Sequence, residues 1–462
     1  MDSREHHRHH FAMFPWLAYG HMIPFLQLAN ELAKRGHSVS FLLPQTAGRK
    51  LSHANLYPQL ITFHSLSVPH VEGLPHGAET TSDTNNAIAL LLAMDEMQDQ
   101  VKAVLKAEKP NFVFFDFADW IPNIASEIGC KTVFFSVVSP ASSAIALLTT
   151  TNKEKPLEPS DLIESLLNYP SSDVPILREH EARSLALLAS QPNNNLRKIV
   201  SKSVSGAKHS DALAVRTCKE IEGVHCNNLS TLYGKPVFCT GPLFPEPRKE
   251  PLDDTILIFL NKFNCASVVF CSFGSELVLE INHFQELVLG LELTGLPFLL
   301  AGIKPPKGTA SIQEALPEGF QERVIGKAML YEGWVPQTQI LMHTSIGCFV
   351  SHGGSASMWE SFLSDCPVVF MPTRIDYALN ARLMTEELQL AVEVEMEKGE
   401  NGWFSKERIS RGVKTAMDEG SKLGGLLKKN HMKWRDLFLS NGFADGYIDK
   451  FIQNLDEETF RL

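Results

Sequence analysis

The apolar positions of this chain alternate between two rhythms. Phe11–Leu17 and His37–Leu43 are short apolar runs, and between them Phe25, Leu28, Ala29 and Leu32 recur at helical spacing from Pro24 to a terminating Gly36. The first 44 residues therefore predict one strand, helix, strand unit. Phe112–Phe115 and Thr132–Val137 read as buried parallel strands with a helix over Pro122–Ile128 between them. A second series begins after Phe244–Leu252, whose three prolines and four charges have the composition of an exposed linker. It predicts strands at Ser267–Cys271, Pro297–Ala301, Ile346–Val350 and Val368–Met371, and helices at Ile281–Thr294, Ser355–Leu363 and Tyr377–Leu388. Strand alternating with helix predicts an α/β fold of two doubly wound parallel-sheet domains. The boundaries expected are 1–243, a linker at 244–253, a second domain at 254–440, and a last helix at 441–462 packing back on the first domain.

Composition narrows the function classes. The 462 residues, 44% hydrophobic and 21% charged, suffice for two cored domains. With 42 basic against 53 acidic residues the net charge is −11, which argues against nucleic acid or an anionic membrane as a general partner. The eight cysteines form no CxxC pair and read as buried thiols of a reducing compartment. No apolar stretch is long enough to span a membrane, and the polar start MDSREHHRHH does not have the form of a signal peptide. A cytoplasmic protein is expected. His6, His7, His9 and His10 read as a solvated tail.

Ligands of such sheets bind beyond the carboxyl ends of the strands, so the strand-to-helix junctions carry the candidate chemistry. The first is Tyr19-Gly20-His21-Met22-Ile23-Pro24. It places His21 at a helix N-terminus, whose positive end favours a neutral imidazole suited to general-base work. The second is Asp116, at the end of an apolar strand, a carboxylate able to orient a histidine if the fold brings the two together. Asp119 is the expected cap of the helix that follows. The third runs from Gly333-Trp334-Val335-Pro336-Gln337 through His352-Gly353-Gly354-Ser355-Ala356-Ser357 and Glu360 to Asp376-Tyr377-Ala378-Leu379-Asn380. No Asp-x-Asp, P-loop or Gly-x-Gly-x-x-Gly motif occurs.

That third region resembles the signature box of plant family 1 UDP-sugar glycosyltransferases: Trp-x-Pro-Gln, then His-Cys-Gly-Trp-Asn-Ser with Glu three residues on, and finally Asp-Gln. The likeness extends over nearly the whole chain, through the Gly-His-x-x-Pro turn, Asp116, the Phe-Cys-Ser-Phe-Gly-Ser segment at 270–275 and the Asn-Ala-Arg run at 380–382. The opening FPWLAYGHMIPFLQLANELAKRGHSVSFLLP and the segment MWESFLSDC more particularly resemble the branch-forming clade, which adds a sugar to a sugar of a flavonoid or related phenolic glycoside. The resemblance implies a GT-B fold with two Rossmann-like domains facing a cleft, and an inverting enzyme that needs no metal or other cofactor. Its partners would be a UDP-sugar donor and a phenolic glycoside acceptor; a monomer is the default expectation for the chain. His21 would be the base and Asp116 its orienting partner. Trp334 would stack on uracil beside the Val335 backbone, Gln337 and Glu360 would hold the ribose, and Asp376 would accept sugar hydroxyls. His352, Gly354, Ser355 and Ser357, with Ser275 from the side, would surround the diphosphate.

The chain departs from that box at Gly353, which replaces Cys, at Ser355-Ala356, which replace Trp-Asn, and at Tyr377, which replaces Gln. Tyrosine offers one hydroxyl and an apolar ring, so the expected donor preference is a deoxyhexose or pentose over glucose. Phe14, Trp16, Trp120, Val138 and the 149–183 stretch are the expected acceptor walls. Other readings are transfer to an aglycone hydroxyl, a sugar-nucleotide epimerase of the same architecture, or a non-catalytic UDP-sugar-binding module. The His21, Asp116 and Trp334 set weighs against the epimerase.

Overall fold

The structure, a computed structural model, describes residues 8–151, 158–160, 162, 177–190, 195–245, 251–274, 277–396 and 403–456. The chain divides into two compact units, 1–243 together with 444–462, and 244–443. Of the expected linker, residues 246–250 lie outside the described residues, as do Ser275 and much of the 149–183 stretch.

The first unit is built on a seven-stranded parallel sheet. In chain order its strands are β1 (His10–Phe14), β2 (Ser38–Pro44), β3 (Ile61–Leu66), β4 (Phe112–Phe115), β5 (Lys131–Ser136), β6 (Ala212–Val215) and β7 (Val237–Cys239). Their spatial order is β3-β2-β1-β4-β5-β6-β7. All four residues of β4 are buried, as a strand covered by helices on both faces requires. The helix Phe443–Asp456 ends this unit: Phe451 packs edge-on to Phe114 and Phe238, and Arg35 bonds Asp445 and Asp449.

The second unit holds a six-stranded parallel sheet. Its strands are β8 (Val268–Ser272), β9 (Phe298–Ile303), β10 (Ala328–Glu332), β11 (Ile346–Ser351), β12 (Val368–Phe370) and β13 (Ala391–Glu393), in the order β10-β9-β8-β11-β12-β13. Val269, Cys271, Leu300, Val350 and Phe284, all without exposed surface, share one core cluster. Each sheet thus reverses its strand order once, between β1 and β4 and between β8 and β11. That switch point is where the crevice of an open parallel sheet forms.

Several expectations need correction. The first helix spans Tyr19–Lys34 and contains Pro24 rather than starting there. The one bond proline forfeits would end on the carbonyl of Gly20, an exposed residue where water can take its place. Asp119 does not cap its helix, because its carboxylate pairs with Lys202 at 3.0 Å and Trp120 occupies the cap position without a side-chain bond. The late helix covers Ile375–Arg382, with a π-turn over Leu383–Glu387, so Asp376 lies in its first turn, where a negative charge complements the helix dipole. His9 and His10 belong to no frayed tail: His10 opens β1, and His9 stacks on His37 at 5.5 Å. The cysteines are all free, but Cys265 is exposed and Cys239 half-buried.

Candidate active site

At the switch point of the first sheet, β1 and β4 run side by side with Phe14 opposite Phe115. The chain leaving β4 immediately presents Asp116, while the chain leaving β1 turns through Pro15-Trp16 into the helix that carries His21 in its first turn. Asp116 is 2% exposed and saturated with donors. Oδ1 accepts the backbone N–H of Trp16 at 2.7 Å and of Phe117 at 2.8 Å, and Oδ2 receives His21 Nδ1 at 2.6 Å. A carboxylate only accepts, so Nδ1 carries the ring proton and Nε2 holds the free lone pair. The His21 side chain is 22% exposed, which keeps that nitrogen within reach of a ligand. Phe117, which sequence reasoning did not single out, braces the imidazole edge-on at 5.6 Å.

The residues expected to wall an acceptor fare differently. Phe14 has no exposed surface and is a core residue packed against Trp120 at 5.8 Å, which removes it from the set. Trp120 is 8% exposed, and its indole N–H is taken by Asp95 at 3.2 Å, a carboxylate shared with Lys202. Trp16 is 5% exposed and acts on Asp116 through its backbone N–H, which any residue but proline could supply. Val138 remains half-buried at the carboxyl end of β5, its carbonyl accepting the Ser136 hydroxyl.

In the second unit the carboxyl ends of β8 and β11 stand in register, Ser272 beside Ser351. His352 follows β11 and is nearly fully buried. Burial first, and the nearby Arg374 second, push its pKa down to about 4, so the ring is neutral at physiological pH. Gly353 adopts φ +93°, and a Cβ there would stand 2.9 Å from the Tyr377 carbonyl, so glycine is demanded by both conformation and space. Gly354 and Ser355 are half-buried, Ser357 is buried, and Ala356 is exposed at the start of the Ser355–Ser361 helix. Gln337 Nε2 donates to Glu360 at 2.7 Å and to the Ser357 hydroxyl at 3.2 Å, which joins three of the expected residues in one network. Trp334, just beyond β10, is 61% exposed, whereas the neighbouring Val335 side chain is buried. Tyr377 meets His352 edge-on at 4.6 Å, and Asp376 pairs with Arg374 at 3.2 Å.

Two residues to which the sequence assigned no role hold this region together. Asn380, 2% exposed, donates through Nδ2 to the Gly353 carbonyl at 2.8 Å and to the Ser355 hydroxyl at 3.3 Å. The sequence signal was an amide inside a helix, where asparagine is a poor former. Arg374 bonds the first turn of that same helix, and nothing in its local sequence marks it. Among the described residues no group of three or more His, Cys, Asp or Glu is arranged to hold a metal ion, and no helix is long and apolar enough to cross a membrane.

The sequence profile of the family described as UDP-glucoronosyl and UDP-glucosyl transferase matches residues 248–434. Over 454 residues, 96% of both chains, the sequence is 50% identical to the anthocyanidin 3-O-glucoside 2'''-O-xylosyltransferase of Arabidopsis thaliana. The chain belongs to the plant family 1 UDP-glycosyltransferases. This glycosyltransferase is also 46% identical to UDP-glycosyltransferase 79B6 of the same plant, over 97% of each chain. Its fold matches that of UGT73P12 of Glycyrrhiza uralensis, solved with glycyrrhetinic acid 3-O-monoglucuronide, with a TM-score of 0.80 at 18% identity, covering 98% of this chain and 97% of that one. The architecture is therefore GT-B, with a parallel Rossmann-like sheet in each unit, and the enzyme transfers a sugar from a UDP-sugar.

Proposed function

We propose that this enzyme transfers a sugar, with inversion, from a UDP-sugar to a sugar hydroxyl of a flavonoid or related phenolic glycoside, and that it favours a pentose or deoxyhexose donor over glucose. The observation that carries the reading is the His21–Asp116 pair at the switch point of the first sheet. His21 Nε2 takes the proton of the acceptor hydroxyl while that oxygen attacks the anomeric carbon and the bond to UDP breaks. Asp116 holds the ring in the productive tautomer and offsets the charge that develops on it. A sugar hydroxyl is a weaker acid than a phenol, so sugar-on-sugar transfer makes the base indispensable.

In the second unit Trp334 stacks on uracil beside the Val335 backbone, and Gln337 with Glu360 holds the ribose. His352, Gly354, Ser355, Ala356 and Ser357 line the diphosphate. Asp376 and Tyr377 face the donor sugar. Support for the acceptor class comes from the relative at 50% identity, whose name describes xylosyl transfer to an anthocyanidin 3-O-glucoside. With no Asp-x-Asp motif in the sequence, we assign the leaving charge to helix N–H groups and hydroxyls rather than to a metal, and place the enzyme in the cytoplasm as a monomer.

The test is a panel of UDP-xylose, UDP-rhamnose and UDP-glucose against quercetin 3-O-glucoside and quercetin, with and without EDTA. Consumption of the glucoside with a pentosyl or deoxyhexosyl donor, unaffected by EDTA, is expected. Preferential use of quercetin would move the enzyme to aglycone transfer. A UDP-glucose preference would refute the donor assignment, and Tyr377→Gln is expected to shift selectivity toward glucose.

A further inference from the structure

Arg374 precedes the Ile375–Arg382 helix in extended backbone, φ −134° and ψ 159°. Its side chain lies over the first turn of that helix. Nε donates to Asp376 Oδ1 at 3.2 Å, the guanidinium carbon stands 4.9 Å from the centre of the Tyr377 ring, and Nη1 is 3.5 Å from the Tyr377 hydroxyl. The ring so covered is the one that meets His352. The Arg374 and Asp376 side chains are 56% and 27% exposed, so the arrangement is accessible to a ligand rather than sealed in the core.

The chemistry of a sugar site depends on how many acceptor atoms it offers. A carboxylate left to itself offers about two acceptor sites on each oxygen, and so can grip a pair of neighbouring sugar hydroxyls with both oxygens. Here the guanidinium occupies one of the acceptor sites on Oδ1 and leans its charge toward the carboxylate. The adjacent position carries a phenol in place of an amide, and that phenol is itself under the guanidinium. We propose that Arg374 is a positioning residue that sets donor-sugar selectivity, by taking up one of the acceptor sites of Asp376 and fixing the Tyr377 ring, which matches the site to a sugar with fewer hydroxyls. This rests on the reading of Asp376 and Tyr377 as the donor-sugar residues. An exposed ion pair contributes little to stability, so the consequence of removing it falls on selectivity and not on folding.

The experiment compares kcat and KM for UDP-xylose, UDP-rhamnose and UDP-glucose, at fixed quercetin 3-O-glucoside, in the wild type, Arg374→Leu and Arg374→Lys, with UDP affinity measured by calorimetry. Arg374→Leu is expected to lower the pentose-to-glucose ratio of kcat/KM about tenfold, the worth of one hydrogen bond, chiefly through a lower KM for UDP-glucose. Arg374→Lys should restore a large part of the ratio, and UDP affinity should stay within about twofold. Three outcomes overturn the inference: an unchanged ratio in Arg374→Leu, equal shifts in the Leu and Lys variants, or a UDP affinity that falls for the variants with every donor slowed alike, which would make Arg374 a diphosphate contact. A wild type that prefers UDP-glucose is the different failure, of the donor reading itself.

Discussion

His21 Nδ1 lies 2.6 Å from Asp116 Oδ2, while the other oxygen of that carboxylate is held by the backbone N–H groups of Trp16 and Phe117. Asp116 therefore ties the loop after β1 to the end of β4 and presents its remaining oxygen to the imidazole. Orientation of the histidine and closure of the two loops depend on one buried carboxyl group.

Asp116→Asn separates these duties. The amide oxygen can still accept the two backbone N–H groups, but the amide nitrogen donates to Nδ1 and forces the proton onto Nε2. Turnover should fall about 10² to 10⁴-fold while the melting temperature changes little. Asp116→Ala should also lower the melting temperature, since two buried donors lose their partner at roughly 1–3 kcal/mol each. His21→Ala should lose nearly all turnover yet retain UDP binding, and full activity in that variant would remove His21 as the base.

Restoring the family's cysteine in the box is expected to harm this protein. Gly353 has φ +93° and space for no Cβ beside the Tyr377 carbonyl. Gly353→Cys should cost about 1–2 kcal/mol in thermal or denaturant unfolding, with weaker UDP binding as the loop shifts.

Asn380 offers a sharper probe of the same loop. Asn380→Asp is nearly isosteric but replaces the donor aimed at the Gly353 carbonyl with an acceptor. UDP affinity should fall about tenfold or more, because a buried carbonyl then faces a negative charge instead of an N–H. An affinity equal to wild type would show that the loop needs no clamp.

The second unit should weaken in mild acid. Burial holds both His352 and His431 at about 4, Arg374 adding to the effect at His352, against an ordinary value of 6.5. Between those values the unfolded chain binds more protons than the folded one. The stabilisation is therefore complete above pH 6.5 and is lost as the pH falls toward 4. Melting temperatures followed from about pH 7.5 to about pH 4.5 should drop, and His431→Gln, which keeps a donor for the Leu390 carbonyl, should flatten the drop.

What could be read without the fold was local. The apolar runs and helical stripes specified parallel strands, α/β layering and the junctions, because burial on both faces leaves a continuous apolar signature in each strand. The signature box was legible through its resemblance to that of the plant family 1 UDP-glycosyltransferases, since its tryptophan, glutamine, histidine and acidic residues stand at near-fixed spacing. Strands β3, β6, β7, β10 and β13 escaped, since a run of three to six residues carries too little period by itself to separate from helix or loop.

The sequence by itself determined which residues have the chemistry: a histidine at a helix start, a carboxylate at a strand end, and a box with a tyrosine where an amide is usual. Only the tertiary structure decided their company. His21 and Asp116 are 95 residues apart and meet because β4, not β2 alone, flanks β1. Phe14 left the candidate set because packing gave its ring no surface, and Asp119 left its cap because Lys202 arrived from 83 residues away. The roles of Arg374 and Asn380 emerged because an ion pair and an amide clamp are relations across space, set by strand order and side-chain packing, which the local sequence does not specify.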